Sequence, residues 1–261
     1  MGPTFVSQEM YFLEQEPGLF VQLTLPDPSY DRQAGVILLA PPPQEMMRFQ
    51  KLYHILSQRL AESGFHCWRF DYQGTGDSPG SLEDVRLQNW LLDVSLVAEH
   101  AHKKAVIKNC SIIGLRLGGW LACELSREIL LHQLILVDPV VNGERYTMEL
   151  SRMHHSMLEE NPDSPPFASE QINFQQCLGF PYTTEFHHDL EQVQLQFAHC
   201  RAQNIHTLIS QCEPKLKDEI PQGSQVQEFS DDLGWSHPWN LRLQCFAPSL
   251  QQLLVELMEK A

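Results

Sequence analysis

The sequence predicts an α/β fold in which a mostly parallel central sheet is flanked by helices. Short apolar runs, typical of strands inside a sheet, alternate with segments whose apolar residues recur at helical spacing. The predicted strands of the sheet are Gly35–Ala40, Phe65–Phe70, Ile107–Ile113, Gln133–Val137, Ile205–Ser210 and Gln225–Phe229. The predicted helices are Phe49–Ser63, Trp90–His100, about Gly119 to Leu130, and Leu250–Met258. This alternation indicates strand–helix–strand units and therefore parallel pairing.

Two further strands are predicted before this alternation begins. Met10–Leu13 is a short run rich in aromatic residues, and Leu19–Thr24 alternates apolar with polar residues in its second half. The tripeptide Glu16-Pro17-Gly18 lies between them and favours a turn. The two runs therefore predict an antiparallel hairpin at the N-terminus.

Composition limits the number of domains and the class of partner. A chain of 261 residues, 43% of them hydrophobic, is long enough for one sizeable α/β domain. Its formal charge of −15 disfavours nucleic acid and anionic membrane surfaces as partners. No window approaches the roughly 18 apolar residues of a membrane span. We therefore expect a cytoplasmic protein.

The cysteines argue against a disulfide framework or a zinc site, because their number is odd and they form no Cys-x-x-Cys pair. They are Cys67, Cys110, Cys123, Cys177, Cys200, Cys212 and Cys245. Several lie in predicted strands or helices beside apolar neighbours, as buried thiols do. We expect reduced thiols in the core, no bound metal and no cofactor.

Residues 110–123 combine a short apolar strand, a turn bracketed by glycines and the start of a helix. This is the layout of the nucleophile elbow of α/β-hydrolases, G-x-S-x-G. Here the motif is Gly114-Leu115-Arg116-Leu117-Gly118, so Arg116 occupies the serine position. The glycines allow close approach of the strand and helix backbones and predict the shape of the elbow. A guanidinium stays protonated and cannot attack a carbonyl, so the motif predicts the fold without the usual nucleophile.

The oxyanion hole of this fold combines the N–H after the nucleophile with one from the loop that follows an earlier strand. Leu117 follows Arg116, and the earlier loop follows Gly35–Ala40. That loop begins with three prolines, residues 41–43, which have no N–H to donate. The second donor must therefore come from Gln44 or beyond, and we expect Leu117 and Gln44 to contact a substrate.

Two charged residues should lie on the same side of the sheet as Arg116. The strand Gln133–Val137 ends in Asp138, and Arg145 follows shortly after. Ligand sites of open parallel sheets gather at the carboxyl ends of the strands. We therefore expect Asp138 and Arg145 to contact the substrate beside Arg116.

The alternation of strands and helices stops after residue 147. One helical stretch is followed by proline-rich turns up to residue 188, and the segment is too short to hold a core of its own. We predict a small helical lid over residues 148–188, inserted between two parts of one core, 1–147 and 189–261.

Three segments in this order together resemble the exosortase A system-associated hydrolases, bacterial relatives of the serine aminopeptidase and monoacylglycerol lipase group. The segments are Arg69–Ser78, Gly114–Gly118 and Asp138–Tyr146. The resemblance covers residues 35–150 best and implies the α/β-hydrolase fold. It also implies a setting in extracellular polysaccharide production, with the substrate generally unassigned. Members commonly carry arginine at the elbow, so Arg116 fits this resemblance.

The resemblance further implies positions for an acid and a base. The acid position after the next-to-last long strand corresponds best to Glu213, with Asp138 as a substitute. The base position after the last strand corresponds best to His237, which keeps the chain order nucleophile, acid, base. The alternatives are a surface carboxylate at Glu213 and a histidine packed between Trp235 and Trp239.

Three hypotheses for the site stay open. In the first, the protein hydrolyses a small ester, acyl-type or carboxylated substrate. Water activated by His237 with Glu213, or else Ser111 or Ser236, attacks, while Arg116 stabilises charge or clamps a carboxylate.

In the second hypothesis, Arg116 at the start of a helix binds a carboxylate, phosphate or uronic acid without catalysis. In the third, Arg116 is a structural plug, paired internally with Asp138 or Glu144. The first two predict a small-molecule partner of anionic character, and a homodimer is compatible with the sequence.

Overall fold

A computed structural model describes residues 6–104, 107–160, 176–211, 213, 215–235 and 244–260. Its strands are β1 (Ser7–Phe12), β2 (Phe20–Leu25), β3 (Ala34–Leu39), β4 (Phe65–Phe70), β5 (Asn109–Leu115), β6 (Leu131–Val137), β7 (Gln176–Cys177), β8 (Phe180–Pro181), β9 (Ala202–Ser210) and β10 (Gln225–Phe229). Its helices are α1 (Pro43–Glu62), α2 (Leu87–Lys104), α3 (Leu117–Leu125), α4 (Gly143–Glu159), α5 (Thr184–Glu191), α6 (Leu216–Glu219) and α7 (Pro248–Glu259).

Eight strands form one sheet in the order β1-β2-β4-β3-β5-β6-β9-β10. From β4 to β10 every neighbouring pair is parallel, and only β2 runs against its two neighbours. The mostly parallel sheet and the N-terminal hairpin are therefore confirmed. The order brings the carboxyl ends of β3, β5, β6, β9 and β10 to one edge, where α/β sheets hold their ligands.

Helices cover both faces of the sheet, and β3 shows how one strand serves both. Val36 and Leu38 belong to the apolar core under α1 and α7, whereas Ile37 and Leu39 belong to the core under α2 and α3. All four are essentially inaccessible to solvent because successive side chains of a strand point to opposite faces. A continuous apolar run is what such a position requires.

Helix α1 begins earlier than the sequence predicts. Its first residue is Pro43, six positions before Phe49, where the apolar periodicity becomes visible. Proline suits the first helical position because its missing N–H has no acceptor there. Gln44 and Glu45 thus lie in the first turn of a helix, whereas we expected a loop.

The segment between β6 and β9 consists, where it is described, of two helices and a short two-stranded sheet. Helix α4 runs through residue 148 and packs on α5, and β7 pairs with β8 in a separate two-stranded sheet. Residues 161–175 of the predicted lid lie outside the described part of the chain.

Within the described ranges, none of the helices combines the length and apolar character needed to cross a membrane. The same residues contain no group of three or more histidine, cysteine, aspartate or glutamate side chains that could hold a metal ion. Their six cysteines are free thiols, four of them buried.

Candidate functional site

Arg116 lies at the tip of a sharp bend between β5 and α3. Its backbone angles are φ 52° and ψ −118°, a strained combination for any residue with a side chain. Its N–H donates to the carbonyl of Val137 at 3.0 Å, and its own carbonyl accepts from Val140 at 3.2 Å. Hydrogen bonds to the end of β6 and the residues after it therefore hold the strained bend in place.

Two glycines are required by this bend. A Cβ atom on Gly114 would lie 2.3 Å from the carbonyl oxygen of Gly118, and one on Gly118 would lie 2.4 Å from that of Leu39. Both distances are far below van der Waals contact with backbone atoms that cannot move independently. The structure therefore has the predicted sharp bend between β5 and α3, with Arg116 at its tip.

The guanidinium of Arg116 is held by two carboxylates. Its Nε donates to Oε1 of Glu45 in α1 at 3.2 Å, and its Nη2 donates to Oε2 of Glu149 in α4 at 3.1 Å. The exposed fractions of the three side chains are 6% for Arg116, 2% for Glu45 and 30% for Glu149. Glu45 is thus the inner partner and Glu149 the outer, partly solvated one.

Two aromatic rings lie close to the same guanidinium. Its central carbon lies 5.3 Å from the ring centre of Tyr146 and 5.1 Å from that of Trp235, within the range of cation–π attraction. Arginine suits this environment because its planar guanidinium can stack on aromatic rings while its N–H groups donate hydrogen bonds to carboxylates.

Burial and neighbouring charges shift the pKa values of Arg116 and Glu45 in opposite directions. Burial lowers the pKa of Arg116, but the adjacent Glu45 and Glu149 carboxylates outweigh it and raise the pKa above its ordinary value. Burial raises the pKa of Glu45, and the neighbouring Arg116 only partly offsets that rise. Arg116 therefore stays cationic at any ordinary pH, which excludes it as a nucleophile.

The predicted pairing of Arg116 with Asp138 or Glu144 is wrong. Asp138 follows β6 with a positive φ of 40°, and its carboxylate accepts hydrogen bonds from the Ser210 N–H and from Nε1 of Trp235, both at 2.8 Å. Glu144 is exposed on the first turn of α4. We expected Asp138 to contact a substrate beside Arg116. It is fully buried, its carboxylate fixes Trp235, and it is not among the residues that line the cleft.

A small cleft opens beside Arg116, with a cavity volume of about 30 Å³. Its charged or polar lining residues are Arg116, Asn142, Arg145, Tyr146, Glu149, Glu213 and Glu219. Three of these are carboxylates and two are arginines, and Glu45 adds a further carboxylate beneath Arg116. This acidic surplus weighs against a strongly anionic ligand.

Glu213, the predicted acid, lies in this cleft after β9 and is half-buried. Burial raises its pKa, the nearby Arg116 cation lowers it, and the Glu149 carboxylate raises it again, with a net rise. A carboxyl group with a raised pKa in a cleft is a candidate acid or base. The predicted base His237 and the alternative nucleophile Ser236 lie outside the described residues.

Of the other residues predicted to contact a substrate or to attack it, one lines the cleft and the others do not. Arg145 is at the rim of the cleft, where it forms an ion pair with Glu219. Gln44 is buried and its amide donates to the Tyr182 hydroxyl at 3.1 Å, and the Leu117 side chain lies in the apolar core. Ser111 is buried inside β5 and does not line the cleft, so the structure does not support it as a nucleophile.

Sequence reasoning missed Glu45 and Glu149, the two partners of Arg116. The available signal was the arginine itself, because a buried cation requires nearby carboxylates. Glu45 is the first acidic residue after β3, the strand beside β5 in the sheet. Glu149 lies one helical turn after Tyr146, so both face the elbow from α4.

A larger cavity lies away from Arg116. It has a volume of about 480 Å³, and Gln22, Tyr53, Arg69 and Asp71 are among its lining residues. It is bounded by β2, β4 and α1, so it does not enlarge the cleft at the elbow.

The sheet order and the glycine-bracketed bend between β5 and α3 define the α/β-hydrolase fold. Residues 46–166 match the family model described as serine aminopeptidase, S33. This match covers slightly less than half of the chain. Among curated proteins, none matches significantly.

Solved structures similar to this chain have the same fold at low sequence identity. Est1E from Butyrivibrio proteoclasticus, solved with ferulic acid, is 14% identical with a TM-score of 0.63, covering 97% of each chain. Mouse alpha/beta hydrolase domain-containing protein 10 is 16% identical with a TM-score of 0.59, covering 97% of this chain and 99% of its own. An alpha-beta serine hydrolase homologue from Coxiella burnetii is 17% identical with a TM-score of 0.57, covering 96% and 97%. These similarities establish the fold, whereas the chemistry must be inferred from the residues of the site.

Proposed function

We propose that this protein is a hydrolase of a small ester or acyl-type substrate in which a water molecule attacks, because residue 116 cannot. The observation that carries the proposal is Glu213, a half-buried carboxyl group with a raised pKa in the same cleft as the Arg116 guanidinium. Hydrolysis by water requires a proton acceptor and a group that stabilises the developing oxyanion. We assign the proton acceptor to Glu213 and the stabilisation of the oxyanion to Arg116.

Arg116 suits the second role because its charge is permanent and its position is fixed. The strained bend, the Glu45 carboxylate and the rings of Tyr146 and Trp235 all hold the guanidinium at the start of α3. Helix N-termini favour negative charge, so the helix and the guanidinium act on an oxyanion in the same sense. A positive group that is already in place before the reaction stabilises the transition state without a free-energy cost of reorganisation.

The size of the cleft supports water as the attacking group. A volume of about 30 Å³ is enough for one water molecule, and its lining offers hydroxyl, carboxylate and guanidinium partners. We propose that His237 takes the proton from this water while Glu213 orients it, or that Glu213 takes the proton directly. Either route forms the carbon–oxygen bond as the carbonyl π bond opens to an oxyanion beside Arg116, and transfers one proton to the base. Collapse of the oxyanion then breaks the bond to the leaving alcohol or thiol, which takes up that proton.

Hydrolysis of a nitrophenyl ester by the purified chain tests the proposal. Glu213→Gln should lower kcat by about 10²–10⁴, the contribution of a general base. Glu219→Gln is the matched control, because Glu219 lines the same cleft but is exposed and paired with Arg145. His237→Ala separates the two routes, since activity that survives it assigns the proton transfer to Glu213. Equal activity of Glu213→Gln and the unsubstituted chain would reject Glu213 in both roles.

A second candidate function is non-catalytic binding of a small carboxylate, such as a uronic acid. The observation in its favour is that the outer partner of Arg116, Glu149, is 30% exposed, so a ligand carboxylate could replace it. Isothermal titration with glucuronate tests this: binding that is lost in Arg116→Met and strengthened in Glu149→Gln supports a receptor. Absence of binding in every variant rejects it.

The setting proposed for this activity rests on the resemblance to exosortase A system-associated hydrolases. We propose a role in extracellular polysaccharide production, carried out in the cytoplasm on a small substrate without a cofactor, by a monomer or a homodimer. Helix α4 supplies both Tyr146 and Glu149, which supports residues 148–188 as the cover of the cleft.

A further inference from the structure

Two cysteines far apart in sequence lie side by side behind the elbow helix. The sulfur atoms of Cys123 in α3 and Cys200, two residues before β9, are 3.1 Å apart across 77 positions of the chain. Cys123 is fully buried and Cys200 is half-buried. One of the two thiols is therefore accessible to a small reagent, and the other is positioned immediately beneath it.

The surroundings make Cys200 the reactive member of the pair. A hydrogen bond from the Cys123 thiol lowers the pKa of Cys200, burial opposes that effect, and Ser126 and the Arg127 cation lower the pKa further. The same contact raises the pKa of Cys123, together with burial. Because Cys123 is buried and Cys200 is half-buried, Cys200 is the member of the pair that ionises more readily, and the thiolate is the form that reacts.

The remaining described cysteines lack these features. Burial raises the pKa of Cys67, Cys110 and Cys177 to about 12 and that of Cys245 to about 11. Thiols with so high a pKa carry almost no thiolate at neutral pH and react slowly. Among the described cysteines, reactivity is thus confined to one pair.

We propose that Cys123 and Cys200 form a modification site, at which a small-molecule disulfide such as oxidised glutathione converts the two thiols into an intramolecular disulfide. The Cys200 thiolate attacks one sulfur of the oxidant, whose own S–S bond breaks and releases one thiolate. That thiolate takes up the Cys123 proton, and the Cys123 sulfur attacks Cys200 and displaces the second small thiol. The chain loses two protons and two electrons in all. One proton is the one that Cys200 released to solvent on ionising, and the second small thiolate takes a proton back from solvent, so that the oxidant becomes two thiols.

Little movement is needed for this step. A disulfide bond is about 2.05 Å long, so the sulfurs approach each other by roughly 1 Å.

The disulfide would fasten the elbow helix to the segment that also supports α4. Nε1 of Trp120 donates to the carbonyl of Gln194 at 3.3 Å, and Gln194 forms a β-bridge with Asn142, the N-cap of α4. Cys123 lies two helical turns after Arg116 along α3. Oxidation therefore ties together the elements that carry Arg116 and its partner Glu149.

Reaction of the folded full-length chain with oxidised glutathione at neutral pH tests the proposal. The intact mass should fall by two hydrogens without an added glutathione, and digestion should yield one linked peptide pair containing Cys123 and Cys200. Cys123→Ser should stop at one glutathione adduct on Cys200, and Cys200→Ser should not react. Cys110→Ser is the control and should form the disulfide normally.

A second measurement does not depend on substitution. Cys200 in the unsubstituted chain should react with iodoacetamide at pH 7 about tenfold faster than Cys110, because a larger fraction of it is thiolate. The proposal is overturned by a disulfide that engages Cys212 or another cysteine, by a stable adduct on Cys200 of the unsubstituted chain, or by equal alkylation rates.

Discussion

The Nε atom of Arg116 donates to Oε1 of Glu45 across 3.2 Å, and neither side chain has more than 6% of its surface exposed. Such a pair stabilises a fold only weakly, because both charges lose their hydration. Removing one partner is far more damaging, because the other charge is then left buried and uncompensated. The elbow is therefore sensitive to changes at either residue.

A double-mutant cycle measures this dependence. Arg116→Met should lower the free energy of unfolding by about 3–5 kcal/mol, the cost of breaking a buried ion pair. Glu45→Gln should cost less, because Arg116 keeps Glu149 as a partner. The double variant should lose clearly less than the sum of the two, because it leaves no unpaired charge at this contact. Denaturant unfolding of the four chains gives the coupling energy. Strictly additive losses would mean that the two side chains do not interact in solution.

The elbow glycines predict a second, steric effect. Gly118→Ala places a Cβ atom 2.4 Å from the Leu39 carbonyl and 2.6 Å from that of Ala40, so the α3–β3 contact must open. We expect a loss of at least about 3 kcal/mol, in the upper range of single substitutions.

Gly119→Ala is the matched control for this effect. It lies one position further along α3, where the nearest atom to an added Cβ is 3.2 Å away, on the Pro139 side chain. Alanine also favours a helix over glycine by about 1 kcal/mol, so the net change should be small. Thermal unfolding compares the two, and equal losses would contradict the close approach at Gly118.

The elbow was predictable because its signal is local. Gly114 and Gly118 flank position 116 in the sequence itself, and the clash distances explain why no other residue serves there. The strands were predictable for a similar reason, since a run such as Val36–Leu39 must be apolar to lie between two helical layers.

The partners of Arg116 were not predictable by the same means. Glu45 and Glu149 lie 71 and 33 positions away and come from two different helices. Helical or strand periodicity says which face is buried, but not which carboxylate on another element reaches a given cation. The direction of Asp138 was missed because a positive φ after β6 turns its side chain towards Ser210 and Trp235.

Asp93 gives a prediction for the pH dependence of stability. It is buried in α2, it accepts a hydrogen bond from the Gln73 N–H at 2.7 Å, and burial raises its pKa to about 6. Because the folded state holds this proton more tightly than the unfolded chain, its contribution to stability is largest below pH 4. It should be lost as the pH rises from 4 to 6, by up to about 3 kcal/mol at 1.36 kcal/mol per pKa unit.

Asp93→Asn removes this titration and keeps an oxygen that can accept from Gln73. The difference in unfolding free energy between the two chains should therefore change between pH 4 and 6, with the asparagine variant gaining relative stability. Urea unfolding at four pH values across this range measures the difference. A constant difference would show that Asp93 titrates near its ordinary value.

The role of Arg116 in turnover can be separated from its role in folding. If the guanidinium stabilises an oxyanion, its removal should lower kcat by about 10²–10³ and change KM little, as loss of an oxyanion donor does. Arg116→Met alone leaves Glu45 buried and unpaired, so the experiment is best done in the Glu45→Gln background. In this double variant no charge is left unpaired at the contact between residues 45 and 116, so the fold should be better preserved than in Arg116→Met alone. Thermal unfolding of the two variants verifies this. Arg145→Met is the control, because that arginine lines the same cleft but is exposed at its rim. A rise in KM with unchanged kcat would instead identify Arg116 as a substrate anchor, and unchanged kinetics would restrict it to a structural role.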